Sequence, residues 1–259
     1  DVFWNSEVAH TVRLKLAGVL EKAEPPPAAA ERIPERFRDP EGHWFGFAGR
    51  ARVLIVNTDL VPRERYPTSI WQIADPQWAG RSAIVRPVTG TTLTHVTALY
   101  ERMGAVQTNA FLDAVRANGV NLPPGNGRLA SLVGEGEIAF GLTDTSDYRL
   151  VRAEGKPVDV VYPDQGEGQI GTLLIPNTVA LVRGGPNPAN GQRHLEFRLS
   201  DGSERILASH QRGHIPLKPG IEHPPEVKVP GDFREMHVDF SQVGARVEQR
   251  LKELGERFE

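Results

Sequence analysis

The chain has 259 residues, enough for two lobes of ordinary domain size. It is 39% hydrophobic and 24% charged, as globular chains are, and no apolar run approaches the ~20 residues of a membrane span. A net charge of −3 leaves no electrostatic footprint for nucleic acid, and the lack of cysteine removes disulfides, thiolate zinc sites and cysteine catalysis together.

Asp1 opens the chain without methionine or a charged-then-apolar leader, so no signal peptide is read in it. Asp1-Val-Phe-Trp4 reads as the end of a buried strand. Val8 to Lys22 carries apolar residues at helical spacing, and the prolines of residues 24–30 predict a turn. Residues 44–57 look like an extended strand pair, with Val53 to Val56 fully buried. Pro67 to Asp75 reads as a short capped helix and Arg81 to Arg86 as a strand stopped by Pro87.

Val88 to Tyr100 reads as a strand end and then a helix opening on Gly90 and threonines; helices follow over Gln107–Asn118 and Asn126–Val133. Ile138 to Leu142 is a short buried strand running directly into a helix, with Thr143, Asp144, Thr145 and Ser146 crowding the junction. All four are helix-capping residue types, and such a junction favours anions and oxygen-rich ligands. Val158–Tyr162 and Thr172–Val182 are expected strands, the second interrupted at Pro176. Helices are expected over 189–199 and 203–211, a proline-rich loop over 216–230, and an amphipathic helix over 241–258. Strands alternating with helices imply an α/β fold with mostly parallel sheets.

Several motifs match by letter and fail on context. Gly166-Glu-Gly-Gln-Ile-Gly171 leads into a strand, and Gly125-Asn-Gly-Arg-Leu-Ala130 follows two prolines, whereas a dinucleotide fingerprint joins a strand to a helix. His210 and His214 have ligand spacing, but Gly213 and Pro216 end the helix there, so they read as surface histidines. His95 reads either as a histidine reaching a cleft or as a helix histidine packed beside threonines, and no Gly-x-Ser-x-Gly elbow anchors a hydrolase. Thr89, Gly90 and Thr91 form either a plain helix cap or an anion cradle of hydroxyls and helix N–H groups. Asn126 opens the next helix, and three polar helix starts suit one shared cleft better than three unrelated caps.

Asp1-Val-Phe-Trp4, Gly49-Arg-Ala-Arg-Val53, Pro87-Val-Thr-Gly90, Gly134-Glu-Gly-Glu137, Leu142-Thr-Asp-Thr145, Ile175-Pro-Asn-Thr178 and Gly185-Pro-Asn-Pro188 follow one another in an order with a known parallel. In these stretches the chain resembles the periplasmic iron(III)-binding proteins of ABC importers, a branch of the type II solute-binding fold. The resemblance implies two α/β lobes with mixed, mostly parallel sheets, joined by crossing strands and closing over a ligand. It places residues 1–55 and 176–228 in lobe 1, 56–175 in lobe 2, and 229–259 in a C-terminal segment packing on lobe 2. The family's first strand–helix–strand has no counterpart in front of Asp1.

The resemblance also implies roles. Thr89, Gly90 and Thr91 match the anion-cradling pair and the residue after it; Asn126 matches the anion-contacting asparagine and Arg50 the cleft arginine, with Asp144 beside them. Glu7 is the nearest match to an acidic metal ligand, one position off. Where the family has adjacent tyrosines, this chain has Asp147-Tyr148, so the implied metal set is Glu7, Asp147 and Tyr148. Tyr148 reads equally as a helix tyrosine packing on Leu150 or Pro163. The implied function is capture of Fe(III), or a ferric complex with a synergistic anion, and delivery to an inner-membrane ABC permease. The expected protein is a periplasmic or extracytoplasmic monomer with no catalytic residue. The same pocket also suits a phosphonate, phosphate or carboxylate anion without metal. A two-lobed transferase is the remote reading, lacking an acid–base pair or nucleophile.

Overall fold

The computed structural model describes residues 1–24 and 27–259. Residues 25 and 26, within the turn expected over 24–30, lie outside the described residues. The strands are β1 (Val2–Asn5), β2 (Leu20–Glu21), β3 (Phe45–Asn57), β4 (Ser82–Ile84), β5 (Phe140–Asp144), β6 (Val158–Val161) and β7 (Leu174–Val182). The helices are α1 (Val8–Leu16), α2 (Pro27–Ala30), α3 (Gly90–Ala117), α4 (Asn126–Gly134), α5 (Thr145–Ala153), α6 (Pro188–Arg198), α7 (Asp201–Ser209) and α8 (Phe240–Arg257).

The chain forms two compact units. Unit 1 comprises Asp1–Arg50, Ile175–Asp232 and Val238–Gln249, and unit 2 comprises Ala51–Leu174, Phe233–His237 and Arg250–Glu259. The boundary falls inside β3, between Arg50 and Ala51, inside β7, between Leu174 and Ile175, and inside α8. The C-terminal helix, expected to pack on lobe 2, is thus divided between the two. In unit 1, β1 and β2 both pair antiparallel with β7. The first half of α8 closes that unit, with Phe240 tilted against Phe37 at 6.4 Å.

In unit 2, β3 lies between β5 and β6 and pairs antiparallel with both, while β4 runs parallel to β5. These mixed sheets hold fewer parallel ladders than the alternation of strands and helices suggested. The reason is β3, a single 13-residue strand buried throughout rather than the expected strand pair. Helices α4 and α5 cover this sheet over a core of Ile55, Ala83, Val85, Leu129, Val133, Val151 and Val158. A Cβ built on Gly141 of β5 would lie 2.8 Å from Leu129 Cδ2 of α4 and 2.8 Å from the Ala83 carbonyl oxygen of β4. Gly141→Ala is therefore expected to cost about 1–3 kcal/mol in overpacking, read by thermal unfolding.

Other differences from the sequence reading have local causes. Helix α1 stops at Leu16 rather than Lys22, because Gly18 takes a left-handed φ of 69° and turns the chain into β2. Strand β1 is half-buried rather than buried, with Trp4 48% exposed. The two helices expected over 90–118 form one helix broken at Gly104, where φ is 80°. Strand β7 runs through Pro176; its register with β1 begins at Thr178, so that ladder asks nothing of the missing N–H. Ser69 and Gln72 cap the short 3-10 helix Ile70–Ala74 reciprocally. Among the described residues no helix is long and apolar enough to cross a membrane.

Candidate ligand-binding site

A charged residue in a strand as buried as β3 needs partners, and Arg52 collects them from three helix starts and one strand end. Its side chain is fully buried and pairs with Asp144 Oδ1 at 2.7 Å. Nη1 also donates to Thr91 Oγ1 at 2.9 Å and to Asn126 Oδ1 at 3.1 Å, and Nη2 donates to Thr92 Oγ1 at 3.0 Å. The second Asp144 oxygen accepts from Thr91 Oγ1 at 3.0 Å and from Asn126 Nδ2 at 3.1 Å. Asn126 Nδ2 also reaches Thr91 Oγ1 at 2.7 Å. Arginine and aspartate carry opposite charges, so this cluster holds no net charge of its own.

Strand order brings these residues together. Arg52 stands opposite Asp144 in the β3–β5 register, and Asp144 is at once the last residue of β5 and the residue before α5. Helices α3 and α4 begin after extended residues, Thr89 and Gly125, whose φ angles are −155° and −167°. None of the three residues preceding these helices makes a side-chain cap to its own first turn. The polar side chains at the junctions face the cluster instead: Thr91, Thr92, Asn126 and Asp144 hold Arg52. The residue before each helix thus takes none of its first-turn N–H groups. Each helix start carries about +0.5 elementary charge from its dipole, so three around a neutral cluster favour an anion.

The structure thus joins Thr91, Asn126 and Asp144 directly, with Gly90 opening α3 and Thr89 exposed just before it. The sequence reading missed Arg52 and Thr92. The signal for Arg52 was available: an arginine inside Arg50-Ala-Arg-Val-Leu-Ile-Val56, a run otherwise reading as buried strand, calls for a partner carboxylate. Arg50 belongs to unit 1. There its Nη2 donates to the Ser6 carbonyl oxygen at 2.7 Å and pairs with Glu7 Oε1 at 3.3 Å, and its Nη1 donates to Asn177 Oδ1 at 3.2 Å.

The residues of the expected metal set lie in different surroundings. Glu7, in unit 1, is ion-paired with Arg50. In unit 2, Asp147 faces the start of α4, its Oδ1 standing 3.8 Å from a Cβ built on Gly127. Tyr148, about 100° further round the helix, packs its ring on the apolar core beneath α5. Burial pushes its phenol pKa up, the Asp159 carboxylate adds to that, and Arg152 and Arg149 oppose it. Among the described residues no three His, Cys, Asp or Glu side chains gather in metal-binding geometry.

His210 and His214 do not converge on a ligand: His210 is exposed, and His214 Nδ1 lies 3.1 Å from Asn177 Nδ2. His95 is buried in α3, and neither of its ring nitrogens has a hydrogen-bond partner. Burial and the nearby Arg52 charge hold its pKa well below the ordinary value. A groove of about 680 Å³ lined by Trp71, Asp75, Met103, Gln107 and Phe111 also opens on unit 2, but none of the three helix starts borders it. Its walls are largely apolar and lack convergent donors, so the helix starts are the better candidate.

Comparison with known proteins gives a family match over most of the chain. The model of a bacterial extracellular solute-binding protein family matches residues 10–231. The chain is 29% identical over 228 residues to Iron uptake protein A2 of Synechocystis sp., covering 83% of this chain and 64% of that protein. It therefore spans just under two thirds of that relative's length. Over 92 residues it is 34% identical to a putative 2-aminoethylphosphonate-binding periplasmic protein of Salmonella typhimurium, covering 35% of this chain and 27% of that one. Among solved structures, the apo ferric ion-binding protein A of Pasteurella haemolytica superposes with a TM-score of 0.87 at 22% identity, over 99% of this chain and 82% of that chain. At that identity the match establishes the two-lobed fold.

Proposed function

The chain belongs to the bacterial extracellular solute-binding protein family, and from that premise we propose that it is the ligand-capturing component of an ABC importer. Its cargo in this reading is ferric iron carried as a complex with a small oxyanion, handed on to a membrane permease without chemistry. The observation that carries the reading is the meeting of three helix starts, none capped by the residue before it, around Arg52 and Asp144. Anion oxygens accept from the first-turn N–H groups of α3, α4 and α5, while Thr91 and Asn126 hold those turns in register. Within unit 1, Arg50 is a further candidate cation for an anion. Glu7 in unit 1 and Asp147 in unit 2 are each candidate hard carboxylate oxygens of the kind ferric iron prefers. Tyr148 joins them only by leaving the core and losing a proton that burial holds on. Kinship with an iron uptake protein supports the metal.

A second reading, capture of a phosphonate, phosphate or carboxylate without metal, draws on the match to a 2-aminoethylphosphonate-binding relative. The neutral Arg52–Asp144 cluster suits it equally well. Titration with ferric citrate separates the two. Saturable binding, with no heat from phosphate or 2-aminoethylphosphonate, supports iron; the reverse supports the anion; neither defeats both. A visible phenolate-to-iron band lost in Tyr148→Phe would place Tyr148 on the metal. Thr91→Val leaves the donors Arg52 Nη1 and Asn126 Nδ2 short of an acceptor and Asp144 short of a donor. It is expected to weaken binding about tenfold, and unchanged affinity counts against the helix-start site.

A further inference from the structure

Within unit 1, β3 carries a backbone conformation that needs explanation. Ala48 has φ 46°, a left-handed value at which a Cβ crowds the neighbouring carbonyl oxygen. Residues persist in such conformations only where their surroundings over-determine them. Here both sides of the residue are held. The Ala48 N–H donates to Glu204 Oε1 at 2.7 Å, and its carbonyl oxygen accepts from Asn177 Nδ2 at 3.1 Å. The next residue, Gly49, exchanges two backbone hydrogen bonds with Ile215, at 2.7 and 2.9 Å.

Glu204 sits on α7 and is fully buried. Besides Ala48, its carboxylate accepts from Leu217 N–H at 3.2 Å and Lys218 N–H at 3.3 Å. A buried carboxylate is costly to keep, and this one is spent on backbone donors, one of them at the strained residue. Two residues further along β3 stands Arg50. Asn177 ties it to the bend, since its amide nitrogen holds the Ala48 carbonyl while its oxygen accepts from Arg50 Nη1 at 3.2 Å.

We infer that Glu204 is a positioning residue: by holding the Ala48 N–H it keeps β3 in the left-handed bend that presents Arg50 to the Ser6 carbonyl, to Glu7 and to the ligand. The effect on binding rests on the reading of Arg50 as a ligand contact; the effect on Arg50 itself does not. Glu204 Oε1 accepts from both Ala48 and Leu217 and Oε2 from Lys218, so glutamine with its oxygen in the Oε1 place keeps the Ala48 bond, whereas methionine fills the volume and offers the backbone donors no oxygen. Glycine at 48 adopts the bend without a Cβ and so needs the clamp less.

The experiment compares wild type, Glu204→Met, Glu204→Gln, Ala48→Gly and the double variant Glu204→Met with Ala48→Gly by two readouts. One is amide exchange at residue 48 with the Arg50 guanidinium NMR signals, in protein without ligand; the other is the dissociation constant for ferric citrate. Glu204→Met is expected to speed exchange at Ala48, shift the Arg50 signals and weaken binding about tenfold, with Glu204→Gln close to wild type and Ala48→Gly returning the double variant to within about threefold of wild type. Unmoved Arg50 signals in Glu204→Met, or a defect that Ala48→Gly leaves untouched, overturns the inference; the second result gives Glu204 a role only in holding Leu217 and Lys218. Should wild-type protein bind no ferric citrate, the functional reading falls and the Arg50 signals still decide whether Glu204 positions it.

Discussion

Arg52→Met is expected to lower the stability of unit 2 by about 3–5 kcal/mol, read as the loss in its urea-unfolding transition. The cost comes less from the lost Coulomb attraction than from what stays behind. Asp144, itself buried, would lose its arginine partner while still accepting from Thr91 and Asn126. Removing the arginine also strands Thr92 Oγ1, which accepts from Nη2 at 3.0 Å. Adding Asp144→Leu to Arg52→Met should return part of the stability, because apolar replacements of a whole buried ion pair are often close to neutral. It should not return ligand binding, since the helix starts lose the cluster that sets their spacing. A full loss in the double variant would mean that the pair's geometry, rather than its charge balance, holds the unit together.

His95 predicts a pH dependence of comparable size. The folded state holds its pKa well below the ordinary value of about 6.5, chiefly through burial and then through the Arg52 charge. Below pH ~6.5 the unfolded chain therefore takes up a proton that the folded chain refuses, and stability falls with pH. By pH 5 this one group removes at most about 2 kcal/mol, the limit reached when the folded ring takes up no proton. Burial raises the pKa of Asp164 and Glu204, which works in the opposite direction: stability from those groups grows as pH falls through their folded values. Both remain in His95→Leu, so they cancel when the difference between pH 7 and pH 5 is compared with wild type. The variant is expected to lose less stability than wild type over that interval, by up to about 2 kcal/mol. An identical pH dependence would mean that the ring is protonated or hydrated in the folded protein.

Much of the fold was legible because its signals are local. The strand–helix junction after Ile138, the helix starts at Gly90 and Asn126, and the capping box of Ser69 and Gln72 all sit in windows of a few residues. What escaped depended on partners distant in sequence. Nothing near β3 shows that it is one long strand rather than a hairpin, because its ladders with β5 and β6 come from residues 140–144 and 158–161. Arg50 drew attention and Arg52 did not, although the two are only two residues apart. Their difference lies in what they meet: Ser6, Glu7 and Asn177 for one, and three helix starts for the other. Tyr148 shows the limit of adjacency. The sequence sets it beside Asp147, yet one helical step turns its ring onto the core while Asp147 faces α4.

The central claim is that an oxygen-rich ligand rests on the first turns of α3, α4 and α5. An amide NMR titration with gallium(III) citrate, the diamagnetic counterpart of the ferric complex, tests it at the atoms concerned. The account predicts saturable shifts at the N–H groups of Thr92, Gly127 and Ser146 with one common affinity. Binding that moves the Trp71–Phe111 groove and leaves those three amides where they were would contradict it.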